Sequence, residues 1–96
     1  MQFIQTIEFT GTADDFDRAA ARYRELIAGE SRATGSRLCQ DRDNPGVLVQ
    51  LVEFDSYDDA MANSNHPATQ QWAQEMGHML SGATYRNLDV LGEYDV

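Results

Sequence analysis

The chain has 96 residues, enough for one domain spanning 1–96, and a domain that short buries only about 60 to 70% of the surface its unfolded form exposes. Seven Arg and no Lys stand against sixteen Asp and Glu, a formal charge of -9, and such a field repels nucleic-acid phosphates and anionic membrane surfaces. The single Cys39 excludes an internal disulfide, no Cys/His cluster is spaced for zinc, and no apolar run approaches the roughly 20 residues that cross a bilayer. The opening MQFIQTIEF is too short and too polar for a signal peptide, so the expectation is a cytoplasmic protein with no metal and no cofactor.

Gln2 to Thr10 alternates as a strand, with Phe3, Gln5, Ile7 and Phe9 on one face and Gln2, Ile4, Thr6 and Glu8 on the other. Thr12 and Asp15 then form an S/T-x-x-D/E start, and Phe16, Ala19 or Ala20, Tyr23, Leu26 and Ile27 recur at helical steps. This predicts an amphipathic helix with Asp14 and Arg18 spaced for a side-chain pair and Gly29 as its stop. Ser36 to Arg42 reads as a short edge or second strand carrying Leu38 and Gln40 on one side. Asp43-Asn44-Pro45-Gly46 is a turn signal, with a positive φ expected at Gly46, that folds this strand back as a hairpin.

Val47 to Phe54, VLVQLVEF, is nearly continuous in apolar residues, as a central strand covered on both faces requires; only Gln50 and Glu53 break it, on opposite faces. Ser56 and Asp59 repeat the capping arrangement. The following helix, from Tyr57 to Ala62, is interrupted by Asn63-Ser64-Asn65-His66-Pro67, since Pro67 disfavours helical geometry at His66 and is suited to open a new helix itself. Trp72, Ala73, Met76, Met79 and Leu80 give that second piece its apolar face before Gly82. Ala83 to Leu91 is a final strand ahead of an acidic tail.

The element order is therefore strand, helix, strand, strand, helix, strand: α+β, with a four-stranded antiparallel sheet and both helices on one face. In either register the other face carries several large apolar residues, so a second copy of the chain is expected to cover it, giving a homodimer through the sheet face.

The run LVEFDSYDDAMANSNHPATQQWAQEM resembles the strand-to-helix signature of antibiotic biosynthesis monooxygenase-like domains in the dimeric α+β barrel superfamily. The resemblance implies that two ferredoxin-like subunits pack sheet against sheet, each keeping a small-molecule cavity between sheet and helices. It also implies a range of activities, from cofactor-independent oxygenation of hydroquinones and anthrones to haem degradation, isomerisation or cyclisation, and includes members without known activity. The haem-degrading branch is resembled least. It uses an Asn in the first strand, where this chain has Gln5, and a Trp after the third strand, where it has Phe54-Asp55; only His78 matches the late His that ligates iron.

Several residues are candidates for a site. His66, beside the helix break, is either a loop or capping residue or a proton-transfer group turned to a cavity, and Tyr85 is a phenolic donor; these two are the catalytic candidates. Trp72 is core packing or a flat wall for a planar ring. Gln5, Gln50 and Glu53 are polar groups on strands expected to be buried, so at least one is expected to line the cavity or the subunit interface, and with Trp72 they form the expected substrate-binding set. His66 and His78, twelve residues apart without a matched acid, make a poor metal site. Tyr23 reads as packing, and Cys39 as a small hydrophobe. The functional expectation is a homodimer that takes a planar aromatic or polyketide-like small molecule, with cofactor-independent oxygenation as its reaction. The alternative is a non-catalytic binding or accessory domain.

Overall fold

The computed structural model describes residues 2–96. They form β1 (Phe3–Thr10), α1 (Ala13–Ile27), β2 (Gly35–Gln40), β3 (Val47–Phe54), α2 (Tyr57–Asn65), α3 (Pro67–Glu75) and β4 (Thr84–Asp89). The four strands make one antiparallel sheet in the order β2-β3-β1-β4, so the β-α-β-β-α-β order is ferredoxin-like, with the second helix divided into α2 and α3.

Local sequence explains most boundaries. The Thr12 hydroxyl accepts from the Asp15 amide at 3.2 Å and the Ser56 hydroxyl from the Asp59 amide at 3.1 Å, so both helices begin on the side chains expected to cap them. α1 ends with Ala28 in the left-handed region, φ 50°, and Gly29 follows at φ 82°; the reversal begins one residue earlier than the glycine predicts. Arg18 pairs with Asp15 at i,i+3 instead of with Asp14. The β2–β3 turn also differs from expectation, because Gly46 has no positive φ. The reversal is held instead by the Asp41 carboxylate, which accepts from the amides of Asp43 (2.9 Å) and Asn44 (3.2 Å).

The helix break is narrower than the polar run implies. α2 continues through Asn65 and only His66 leaves helical geometry, at φ −61° and ψ 135°, because proline restricts the residue directly before it and no other. α3 stops at Glu75, short of Met79 and Leu80, which reach the core from the turn that follows.

Strand register sorts the side chains. Phe3, Gln5, Ile7 and Phe9 of β1 share the helix-covered face with Leu48, Gln50, Val52 and Phe54 of β3. Two hydrophobic clusters form there. Phe3, Val52, Phe54 and Ala60 pack at one end; Ile7, Phe9, Phe16 and Leu48 pack at the other. Gln5, opposite Val52, and Gln50, opposite Ile7, lie where the two clusters meet. The opposite face carries Ile4, Val47, Val49, Leu51 and Leu88, beside an Arg37–Glu53 ion pair at 3.6 Å. Among the described residues, no helix covers that face. Among the described residues, no helix is long and apolar enough to cross a membrane.

Candidate functional site

Where the core divides, a cavity of about 310 Å³ opens between the sheet and the helices. Its floor is Gln5 and Gln50 with Ile7 and Val52; its far wall is Phe16, Ala20 and Tyr23 of α1 facing Thr69 and Trp72 of α3. The floor glutamines are held from the sides. Gln5 Nε2 donates to Asn87 Oδ1 at 3.2 Å and Gln50 Nε2 to Ser36 Oγ at 3.1 Å, which leaves each Oε1 without a protein partner among the described residues. Neither oxygen is sealed away, since no buried side-chain N or O among the described residues lacks a partner.

Trp72 is fixed on two sides. Its indole Nε1–H donates to the Ala19 carbonyl at 2.8 Å, and its ring meets Tyr23 edge to face with centroids 5.5 Å apart. Tyr23 Oη in turn lies 2.9 Å from Thr69 Oγ1 and accepts from Asn63 Nδ2 at 3.1 Å, while Asn63 Oδ1 accepts from the Arg32 amide at 3.0 Å. α1 and α3 are also joined by a two-pronged ion pair, Arg22 Nε to Glu75 Oε1 at 2.8 Å and Arg22 Nη2 to Glu75 Oε2 at 3.0 Å. Bonding from Arg22, and secondarily from Gln71, lowers the Glu75 carboxyl to about 2, and the same contact raises Arg22. The connector between α1 and β2 crosses the helix break, tied by Glu30 to His66 (2.9 Å) and by Arg32 to Asp59 (3.2 Å).

Of the residues singled out from sequence, Gln5, Gln50 and Trp72 line one cavity. Glu53 does not: it is an odd number of residues from Gln50 on the same strand, so the pleat turns it to the open face and toward Arg37. His66 is not among the lining residues either. Its Nδ1 accepts from the Ala68 amide at 3.0 Å as the cap of α3 and its Nε2 meets Glu30, so both ring nitrogens are engaged. Tyr85 pairs with Ile7 across the β1–β4 ladder but sits half exposed on the edge strand, outside the lining. His78 lies in a separate, more open depression with Asp15, Arg18 and Glu75. Among the described residues, no three His, Cys, Asp or Glu side chains gather as a metal site.

Asn63 and Thr69 are cavity residues that the sequence did not single out. Asn63 was masked by the polar run that marks the break, and Thr69 by its ordinary place in a first helical turn. Among the described residues, the titratable side chains of the lining are Tyr23 and Arg24, and no carboxylate or imidazole faces the space. The arrangement can orient a flat, largely apolar molecule and bond its polar edge.

No family sequence profile matches the chain, and no curated protein sequence does. Solved structures do. SnoaB, a cofactor-independent oxygenase from Streptomyces nogalater, superposes with a TM-score of 0.76 at 15% identity, over 96% of this chain and 95% of that one. The chain shares the fold of antibiotic biosynthesis monooxygenases. A protein of that description from Caulobacter crescentus gives a TM-score of 0.74 at 16% identity, covering 95% of this chain and 91% of its own. A dimeric ferredoxin-like protein of unknown function from Thermobifida fusca gives 0.65 at 14%, covering 93% and 92%. The family expected from the strand-to-helix run is thus the family whose structures this fold matches.

Proposed function

We propose that the protein is a cytoplasmic homodimer that binds a planar aromatic or polyketide-like molecule in the cavity under Trp72, and that cofactor-independent oxygenation is its reaction. The observation that carries this is the cavity itself: about 310 Å³, walled by Phe16, Trp72 and Tyr23, with its polar groups at the two floor glutamines, the Asn63–Tyr23–Thr69 cluster, Arg24, Ser31 and Ser36. A pocket mostly apolar with a few convergent polar groups is the usual form of a small-molecule site. The chemistry asks little more of the protein. At an activated methylene carbon, the substrate's carbanion reacts with dioxygen directly; two C–H bonds are replaced by one C=O bond, and the other oxygen atom leaves as water with the two hydrogens, so the substrate supplies all four electrons. The protein's part is to favour that anion, orient it and exclude bulk water.

Oxygen uptake with a panel of anthrones and dihydroquinones tests the reaction. Turnover that falls in Trp72→Ala and persists in His66→Ala supports it, and no uptake across the panel refutes it. The second reading, a carrier or sensor of the same ligand, is favoured by the lack of a carboxylate or imidazole in the lining among the described residues. Thermal stabilisation by panel members without oxygen uptake would select it. The dimer is supported by Ile4, Val49, Leu51 and Leu88 on the uncovered sheet face and by the dimeric relative of the same fold. Light scattering at micromolar concentration is expected to give twice the chain mass, and the Leu51→Arg variant the single mass; a monomeric wild type refutes it.

A further inference from the structure

A main-chain N–H has one role, that of donor. Because the Arg32 amide meets Asn63 Oδ1 at 3.0 Å, that atom is the carboxamide oxygen, and the atom facing Tyr23 Oη at 3.1 Å is the NH₂ group. Carboxamide nitrogen only donates, so Tyr23 Oη is an acceptor here. The Tyr23 and Thr69 hydroxyls lie 2.9 Å apart and hold two protons, of which one lies between them. A phenol is the stronger donor, and accepting from Asn63 strengthens it further, so the shared proton is Tyr23's and Thr69 Oγ1 receives it. The Thr69 proton then has no acceptor among the hydrogen bonds of the described residues, and Thr69 lines the cavity.

We propose that Thr69 donates a hydrogen bond to a carbonyl oxygen of the bound ligand, with Tyr23 and Asn63 as positioning residues that hold the threonine hydroxyl in its donor state. This rests on the cavity being the ligand site, as proposed above, and narrows the ligand. The wall at α3 presents a proton, and the floor presents the unpartnered Oε1 and the second Nε2 proton of Gln5 and of Gln50. A flat ring system with a carbonyl at one edge and hydroxyls, which both donate and accept, directed to the sheet satisfies both sets. A hydrocarbon of the same shape satisfies neither, and leaves the polar groups unbonded.

Three rigid tricyclic probes test this: fluorene, fluorenone with one carbonyl, and fluorenol with one hydroxyl. Binding is read from the indole N–H cross-peak of Trp72, the chain's only Trp, which lines the same cavity. A neutral hydrogen bond contributes about fivefold in affinity. The preference for fluorenone over fluorene is therefore expected to fall about fivefold in Thr69→Val, with fluorene affinity unchanged, and to return in Thr69→Ser. Asn63→Asp supplies a carboxylate with no proton to give. Tyr23 then donates to it, Thr69 donates to Tyr23, and the cavity wall becomes an acceptor, so fluorenone weakens as in Thr69→Val while fluorenol is retained. A merely structural Asn63 would weaken all three probes together. If the probes bind and the fluorenone preference survives Thr69→Val, the donor assignment is wrong and the cavity reading stands. If no probe moves the Trp72 signal, both are wrong.

Discussion

Replacing Gln5 and Gln50 together by Leu separates a ligand-binding role for these residues from a structural one. Both sit on the sheet floor where the two hydrophobic clusters meet, partly buried. Each substitution removes one side-chain hydrogen bond, to Asn87 or to Ser36, with a net contribution of about 0.5–1.5 kcal/mol. Asn87 and Ser36 are exposed, so water takes the vacated places and no orphaned group adds to the loss. Against this, a fully buried Leu contributes about 1.5–3 kcal/mol, and a half-buried one about half of that. The two effects nearly cancel, and the double variant is expected to lie within about 1 kcal/mol of wild type in urea denaturation at fixed protein concentration. Its affinity for hydroxylated probes such as fluorenol should fall about fivefold, because the floor then loses both carboxamide acceptors. This is the behaviour of polar residues retained for a ligand at no gain in stability. A loss of more than about 2 kcal/mol would show that the glutamines hold the sheet together, and unchanged fluorenol affinity would show that they meet no ligand.

Three further outcomes follow from the packing. Trp72→Ala removes a half-buried ring, its bond to Ala19 and its edge contact with Tyr23, and is expected to lower stability by about 2–3 kcal/mol in the same urea assay. Ser56→Ala leaves the Asp59 amide uncapped and should cost about 1 kcal/mol, whereas Ser56→Asp should restore it. Glu75 is lowered from 4.5 to about 2 in the folded state, so its contribution is complete above about pH 4.5 and is lost as pH falls toward 2. Glu75→Gln is therefore expected to flatten the decline of thermal stability across that interval, and a profile of unchanged slope would refute the ion pair.

The frame was legible in the sequence where its cause is local. Thr12 and Ser56 announce their helices because a cap needs only the next three residues, and β1 shows its faces because alternation is a property of the strand alone. The site was legible only in part. Gln5 and Gln50 stand out as polar interruptions of buried strands, but the roles of Tyr23, Asn63 and His66 depend on partners far along the chain. Tyr23 meets Thr69 across 46 residues and Asn63 across 40; His66 meets Glu30 across 36. A helical repeat can place Tyr23 on an apolar face, but it cannot tell a packed phenol from a bonded one. The proline rule located the break at His66 and said nothing of where the ring would turn; that was decided by Ala68 and Glu30.

The strand β3 ties these features together, because its two faces serve different ends. Leu48, Gln50, Val52 and Phe54 face the helices and build the core and the cavity floor; Val47, Val49 and Leu51 face outward and need cover. A chain of this size that opens a cavity in its own core gives up apolar contacts it can hardly spare. Sheet-to-sheet association would recover that loss on the opposite face without touching the cavity. Slipping β3 by one residue would exchange the two sets, sending Gln50 outward and Glu53 into the core, where an unpaired carboxylate is costly. The Arg37–Glu53 pair, on the open face at the β2 edge, accordingly marks the register that keeps both the cavity and the outward apolar face intact.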